Sequence, residues 1–136
     1  MTRYLLDSGI ASDYINRRFG VHGRAQRLVQ QGHQIGIGTP VFGELLGGIL
    51  ASDTRDRNLL VLRRNLGRFR LWPFETQAAQ EYGRLWAELR QSGRKMQVPD
   101  LQIAAIALSL GNCVVVSKDG DLRAVPGLEV EDWSQP

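Results

Sequence analysis

The sequence predicts an α/β protein in which about four to five parallel strands form a sheet flanked by helices. Two observations predict this fold. Short apolar or β-branched runs alternate with segments whose apolar residues recur at helical spacing, and the alternation continues along the whole chain. Such alternation is typical of a parallel sheet covered by helices on both faces. The expected strands are residues 4–6, 34–37, 69–74, 113–117 and 128–130.

The predicted helices begin and end at residues with known boundary preferences. Thr39, followed by Pro40, is expected to cap a helix that runs to Leu50. Asp53 is expected to cap the next helix, which ends at Gly67. The remaining helices are expected at residues 10–19, 24–31, 75–91 and 98–110.

The chain is expected to form a single domain over residues 1–136, because its length suits one core and no repeat, linker or low-complexity tract interrupts it. No apolar run approaches the roughly 18–20 residues that span a bilayer. The apolar N-terminal stretch stops at Asp7, too early for a signal peptide. The single cysteine, Cys113, permits no internal disulfide. We therefore expect a cytoplasmic protein that does not contact a membrane.

Four acidic residues are predicted where the active sites of parallel α/β proteins form, beyond the carboxyl ends of strands or early in the neighbouring helices. Asp7 closes the first strand, and Asp119 lies shortly after the fourth. Asp100 lies in the first turn of a helix, where the helix dipole favours the ionised carboxylate. Glu44 lies about one turn into a helix among apolar neighbours, where an unpaired buried carboxylate would be costly.

A shared divalent cation would explain all four acids at once, because Mg²⁺ and Mn²⁺ prefer oxygen ligands. Each acid also has a simpler explanation when taken alone: Asp7 as a helix cap, Asp100 as a first-turn acid, Asp119 as a turn residue and Glu44 as a surface side chain. Their joint placement favours the metal site.

The remaining charge of the chain is basic. Lysine and arginine number 17, aspartate and glutamate 14, and 15 of the basic residues are arginine, which suits bidentate phosphate contacts. Without the four candidate acids, 10 acidic residues remain against the 17 basic ones. An acidic pocket in a basic surround suits a metal site that receives a polyanion. Arg94 and Lys95 precede Asp100 in a predicted loop and are the candidates for substrate contact, although mild positive charge also serves solubility.

Other possible motifs fail. Gly36-Ile37-Gly38 lacks the third glycine of a dinucleotide fingerprint. His22 and His33 are expected in polar loops without a catalytic role. The three tryptophans lie in apolar surroundings and are expected in the core; they are Trp72, Trp86 and Trp133.

Four segments, in order along the chain, resemble the acidic motifs of PIN domains. They are Tyr4-Leu5-Leu6-Asp7-Ser8, Thr39-Pro40-Val41-Phe42-Gly43-Glu44-Leu45, Pro99-Asp100-Leu101-Gln102-Ile103-Ala104-Ala105 and Val116-Ser117-Lys118-Asp119-Gly120-Asp121-Leu122. The segment from Val125 to Trp133 resembles the C terminus of VapC-type toxins of type II toxin–antitoxin systems. The chain departs from the pattern at two positions, with Ser117 where threonine is more usual and Leu122 where phenylalanine is common.

The resemblance implies a Rossmann-like PIN fold and an endoribonuclease that hydrolyses RNA phosphodiester bonds with Mg²⁺ or Mn²⁺. It implies Asp7, Glu44, Asp100 and Asp119 as the catalytic acids. We expect Asp7, Asp100 and Asp119 to approach the metal directly and Glu44 to act through a metal-bound water, with Asp121 as the alternative to Asp119.

The same resemblance implies a homodimer and a cognate antitoxin protein that inhibits it. Ser8 and Ser117, next to strand ends, are expected to hydrogen-bond the acids, with helix capping an equal alternative. Two other functions fit the sequence: a PIN-fold RNA-processing nuclease without an antitoxin, and a non-catalytic PIN-like domain that only binds RNA or protein.

Overall fold

A five-stranded parallel sheet forms the centre of the molecule. The computed structural model describes residues 1–134, so Gln135 and Pro136, at the end of the expected domain, lie outside the described residues. The strands stand in the order β3-β2-β1-β4-β5. Their bounds are β1 Arg3–Leu6, β2 Gln34–Gly38, β3 Arg70–Trp72, β4 Cys113–Val116 and β5 Glu129–Glu131. The predicted α/β class and the parallel sheet are confirmed.

The register of the central strand brings two strand ends together. Strand β1 pairs with β2 on one side, where Tyr4 lies opposite Ile35, and with β4 on the other, where Leu6 lies opposite Val116. Because the strands are parallel and end level with each other, the residues that follow them, Asp7 and Ser117, become neighbours at the carboxyl edge of the sheet.

Seven helices in residues 1–134 flank this sheet. They are α1 Ser8–Ile15, α2 Val21–Gln30, α3 Thr39–Leu50, α4 Arg55–Leu66, α5 Thr76–Gln91, α6 Val98–Leu110 and α7 Gly120–Arg123. The short α7 is absent from the predicted elements, since one turn leaves no periodic pattern. Helix α6 is buried along much of its length, for example at Ile103 and Ile106, and packs against α5.

Two predicted helix caps are wrong. Gly38 occupies the cap position of α3, and the Thr39 hydroxyl instead accepts a hydrogen bond from the Phe74 backbone N–H at 3.1 Å. Thr54 rather than Asp53 precedes α4, and no side chain caps that helix. The Thr39 hydroxyl, which local preference assigns to the start of α3, is thus used in a tertiary contact with the segment after β3.

The boundary between α1 and α2 also differs from the prediction. Helix α1 ends at Ile15 instead of residue 19, because Arg17 and Phe19 adopt the left-handed conformation, with φ of 55° and 57°. Helix α2 begins at Val21, so His22 is helical and buried against the ring of Tyr14 rather than in a polar loop.

Not all predicted core aromatics are buried. Trp133 is only 1% exposed and packs beside Tyr4, whereas Trp86 on α5 is 49% exposed and was wrongly assigned to the core. Trp86 instead carries the guanidinium of Arg90 on its ring, 4.8 Å from the centroid. Of the helices in the described part of the chain, none has the length and apolar character needed to cross a membrane.

Candidate metal centre

Asp7 is anchored at the carboxyl edge of the sheet by three hydrogen bonds. Its backbone N–H donates to the Val116 carbonyl at 3.1 Å, which continues the pairing of β1 with β4. Its Oδ1 accepts the Ile10 N–H at 2.8 Å and so caps α1. Its Oδ2 accepts the hydroxyl of Ser117 at 2.5 Å. Both oxygens are therefore fixed in direction by neighbours on different elements.

Ser117 connects two of the acids. This fully buried residue donates its hydroxyl hydrogen to Asp7, and the same oxygen accepts the Asp119 backbone N–H at 2.9 Å. The expectation that Ser117 would hydrogen-bond a site acid is confirmed. Ser8 makes no such bond among residues 1–134; its position as the first residue of α1, capped by Asp7, makes it part of the helix start.

Asp100 and Asp119 interact directly. Asp100 lies in the first turn of α6, and Asp119 is the cap residue of α7. The pKa of Asp100 is raised to about 7, first by burial, then by a hydrogen bond with the Asp119 side chain, and then by the negative charges of Asp119, Asp7 and Asp121. The negative charge of Asp119 thus opposes ionisation of Asp100.

Asp7 experiences the same negative field. Burial raises the pKa of its carboxyl above the ordinary range, and the charges of Asp119 and Asp13 raise it further, against the opposing hydrogen bonds from Ser117 and Ile10. Asp7, Asp100 and Asp119 are hereafter called the acid cluster. Because the ionised forms of Asp7 and Asp100 are both disfavoured, a cation beside them is electrostatically favoured.

Asp121 lies at the edge of the acid cluster rather than inside it. It is exposed, its backbone N–H donates to Asp119 Oδ1 at 2.9 Å, and its charge has the smallest of the effects named on Asp100. Asp119, which hydrogen-bonds Asp100, is the closer partner of the two.

Glu44 stands apart from the acid cluster. It is exposed on α3 and lines a groove between α1, α3 and α4 together with Ser12, Asn16 and Asn58. Throughout residues 1–134 it makes no side-chain hydrogen bond or ion pair, and it is not among the charges that shift Asp7 or Asp100. The expectation of a costly buried acid is wrong at this position, because the helix turns Glu44 outward from its apolar neighbours.

Asp13 is a buried acid that the sequence patterns did not single out. Its Oδ1 lies 3.2 Å from Arg18 Nε. Its Oδ2 lies 3.2 Å from Lys118 Nζ, in an ionic contact without hydrogen-bond geometry. The signal was available, since Asp13 follows buried Ile10 by three residues and so shares its face of α1.

The predicted substrate residues Arg94 and Lys95 line a groove of about 500 Å³ between the end of α5 and the start of α6. Trp86 and Arg90 form another part of its wall, and Leu101, the residue after Asp100, lies at its inner side. The groove is therefore basic and aromatic and borders the helix start that carries an acid of the cluster.

The acid cluster has the chemistry of a site for a hard divalent cation. Within the described range, no three His, Cys, Asp or Glu side chains already stand in an arrangement that would hold a metal ion directly. Mg²⁺ requires fewer protein ligands than that, because it keeps several waters and needs only one or two carboxylates. Asp7, Asp100 and Asp119 supply carboxylate oxygens of this kind, so the residues present fit the ion.

The comparisons with known proteins agree with this geometry. The PIN domain family matches residues 4–128, which include strands β2, β3 and β4, most of β1 and all three acids of the cluster. The chain therefore belongs to the PIN domain family, whose VapC nucleases are generally dependent on a divalent metal. Within that family, its curated relatives include ribonucleases named VapC.

Two curated relatives illustrate the likeness. The tRNA(fMet)-specific endonuclease VapC of Shigella flexneri is 31% identical over 135 residues, covering 98% of this chain and 100% of the relative. Ribonuclease VapC2 of Haemophilus influenzae is 28% identical over 133 residues, covering 98% and 99%.

Solved structures share the whole fold. The VapBC2 structure from Rickettsia felis, bound to a DNA fragment from its promoter, has a TM-score of 0.89 at 27% identity and covers 97% of this chain and 99% of its own. The DNA-bound VapBC structure from Salmonella typhimurium has a TM-score of 0.87 at 28% identity, covering 98% and 99%. The similarity thus extends over the full length of both molecules.

Proposed function

We propose that this chain is a divalent-metal-dependent endoribonuclease and the toxin of a VapBC-type toxin–antitoxin pair, active in the cytoplasm. The observation that carries the proposal is the acid cluster at the carboxyl edge of the sheet, in a chain with 17 basic residues. RNA phosphodiester hydrolysis needs negative charge to hold the metal and positive charge to hold the polyanion.

The proposed catalytic acids are Asp7, Glu44, Asp100 and Asp119. Asp7, Asp100 and Asp119 would hold Mg²⁺ or Mn²⁺, which when bound polarises the phosphate and makes a bound water more acidic. Glu44, in its groove beside α1, would act at longer range through water. The protein's own contribution is preorganisation: Ser117 and the start of α1 fix Asp7, and the Ser117 hydroxyl also fixes the Asp119 backbone.

The proposed substrate is tRNA or a similar structured RNA, as the name of the Shigella flexneri relative suggests. Arg94 and Lys95 would contact phosphates, because their groove leads to the start of α6 and so to Asp100. A planar guanidinium and a flexible ammonium in one groove suit a phosphate backbone rather than a fixed base sequence.

The proposed inhibitor is a cognate antitoxin that blocks the acidic pocket. The groove between α1, α3 and α4, about 360 Å³ in volume, has apolar walls that include Ile15, Leu45 and Ile49, with Glu44 beside them. An amphipathic segment of the antitoxin would lie in this groove. An arginine from the antitoxin would pair with the acid cluster, since its fork can bridge two carboxylates.

Cleavage of RNA by the purified protein tests the nuclease proposal. Initiator tRNA is incubated with the protein in Mg²⁺, in Mn²⁺ and in EDTA, and an elongator tRNA serves as the comparison substrate. We expect cleavage with either metal and none in EDTA. Equal cleavage in EDTA after exhaustive dialysis would show metal-independent chemistry and contradict the proposal.

Co-expression tests the toxin proposal. Expression of the chain alone is expected to arrest growth, and co-expression with the neighbouring gene is expected to restore it through a stable complex. A chain that is harmless alone, and that no neighbouring product binds, would instead favour the RNA-processing nuclease without an antitoxin.

A further inference from the structure

Phe19 is a large apolar side chain that the fold leaves in solvent. It is 60% exposed, more than any other large hydrophobic residue among residues 1–134. Its backbone holds φ at +57°, a conformation that L-residues other than Asn and Asp rarely adopt. The residue therefore contributes little to the core and stands in a turn that local preference disfavours.

The Phe19 ring is held by a lysine that follows β4. The Lys118 ammonium lies 4.6 Å from the ring centroid, within the range of a cation–π contact. The same ammonium lies 3.2 Å from Asp13 Oδ2, and Asp13 Oδ1 lies 3.2 Å from Arg18 Nε in the Phe19 turn. The buried Asp13 carboxylate thus ties the turn and the lysine to one anchor.

This arrangement borders the acid cluster. Lys118 stands between Ser117, which donates to Asp7, and Asp119, which hydrogen-bonds Asp100. The exposed side chains of Arg17 and Arg18 flank the ring along the chain. An exposed aromatic ring thus contacts Lys118, the residue between Ser117 and Asp119, with positive charge around it.

We propose that Phe19 is a base-stacking residue, on which a nucleobase adjacent to the cleaved phosphodiester of the RNA rests. Lys118 and Asp13 act as positioning residues that hold the ring in place. The inference rests on the proposed ribonuclease function and deepens it. The positive charge around the ring favours RNA over a protein partner, because base–aromatic stacking beside basic side chains is the common mode for single-stranded nucleic acid.

Phe19→Leu and Phe19→Trp separate stacking from mere hydrophobic contact. Leucine keeps apolar surface but loses the aromatic face, whereas tryptophan keeps it. We expect Phe19→Leu to raise KM for RNA about 5- to 150-fold and to weaken RNA binding in EDTA in the same direction, and Phe19→Trp to match the wild type. Val29→Ala, at a residue 49% exposed on α2 away from the acid cluster, is the matched control and is expected to change neither value.

A series of RNA substrates with one abasic nucleotide each locates the stacked base. If Phe19 stacks on a base, removing that base lowers the RNA affinity of the wild type as much as Phe19→Leu does. The same abasic RNA then causes no further loss of affinity in the Phe19→Leu variant. If Phe19→Leu has the same KM and RNA affinity as the wild type, the stacking inference is overturned while the proposed function stands. If the wild type shows no metal-dependent cleavage, the proposed function itself is contradicted. Unchanged RNA affinity with weakened antitoxin binding would make Phe19 a protein contact and overturn stacking.

Discussion

At the scale of single residues, the acids of the cluster differ in what holds them. Asp7 is bound by the Ser117 hydroxyl and by the Ile10 N–H, so both of its oxygens have hydrogen-bond donors. For Asp100, burial first and then the neighbouring Asp119 carboxyl raise the pKa to about 7. A neutral residue at position 100 therefore relieves repulsion. A neutral residue at position 7 must still accept the Ile10 N–H that caps α1.

Asparagine is the replacement that isolates charge from structure at both positions. We expect Asp7→Asn and Asp100→Asn each to lower the cleavage rate at least about 100-fold, because each removes a carboxylate from the metal site. Asparagine also caps helices well, so α1 should persist in Asp7→Asn. RNA cleavage is measured beside thermal melting, with Asp53→Asn on the distant α3–α4 turn as the control. Full activity in either variant with an intact fold would contradict the metal-site mechanism.

The raised pKa of Asp100 predicts how stability depends on pH. Its pKa rises from an ordinary 3.8 to about 7 on folding, so the folded state binds the proton more tightly. The contribution to stability is present below about pH 4 and is lost as pH rises toward 7. In EDTA, Asp100→Asn should therefore melt higher than the wild type at pH 8 and alike near pH 4. Melting curves that run parallel across this pH range would contradict the assignment.

At the scale of elements, two glycines differ in the space around them: one is required by close packing, and the other is not. A Cβ on Gly36 in β2 would lie 2.4 Å from the Arg70 backbone carbonyl of β3, so the edge strand would have to move. A Cβ on Gly47 in α3 would meet nothing within 4 Å. The first glycine permits strand pairing, whereas the second only adds conformational freedom to a helix.

Alanine substitutions at these two glycines should change the free energy of unfolding in opposite directions. Gly36→Ala is expected to destabilise the fold by about 1–3 kcal/mol through overpacking. Gly47→Ala is expected to stabilise it by about 0.5–1 kcal/mol, because alanine restricts the unfolded chain and favours the helix. Urea denaturation of the two variants provides the measurement, each serving as the other's control. A stabilised Gly36→Ala would show that β3 does not pack against β2 as described.

The sequence predicted elements well and their ends less well, for physical reasons visible at particular residues. Alternating apolar runs specified five strands and the large helices because burial repeats with a fixed period. The predicted Thr39 cap is wrong because the Thr39 hydroxyl instead accepts a hydrogen bond from the Phe74 backbone N–H, 35 positions away. The early end of α1 depends on the backbone at Arg17 and Phe19, which no periodicity encodes.

The site was predicted in the same uneven way. Asp7, Asp100 and Asp119 meet because strand ends and helix starts are local signals that a parallel sheet brings together. The position of Glu44 depends on which side of α3 faces the core, and its apolar neighbours gave the wrong answer. Asp13 and Lys118 interact across about a hundred residues of sequence, and their pairing needed the structure.

At the scale of the whole molecule, the charges of the protein separate into an acidic centre and a basic remainder. The acid cluster occupies one edge of the sheet, while arginines populate α4, the turn at Phe19 and the groove beside α6. The neighbouring helices α3 and α4 also expose leucines, Leu50 at 49% and Leu60 at 50%. These side chains are apolar surface that the monomer does not cover.

The exposed leucines refine the expected homodimer contact. The apolar side of α4 is not free for this contact, because Leu62 is 2% exposed and Leu66 packs against the core. Leu60 lies on the free side, and burying a leucine contributes about 1.5–3 kcal/mol. We therefore expect a dimer at micromolar concentration by light scattering, and a monomer for Leu60→Asp, because an aspartate in the contact would have to lose its hydration. Val29→Asp, equally exposed on α2, should remain dimeric, and a monomeric wild type would contradict the dimer itself.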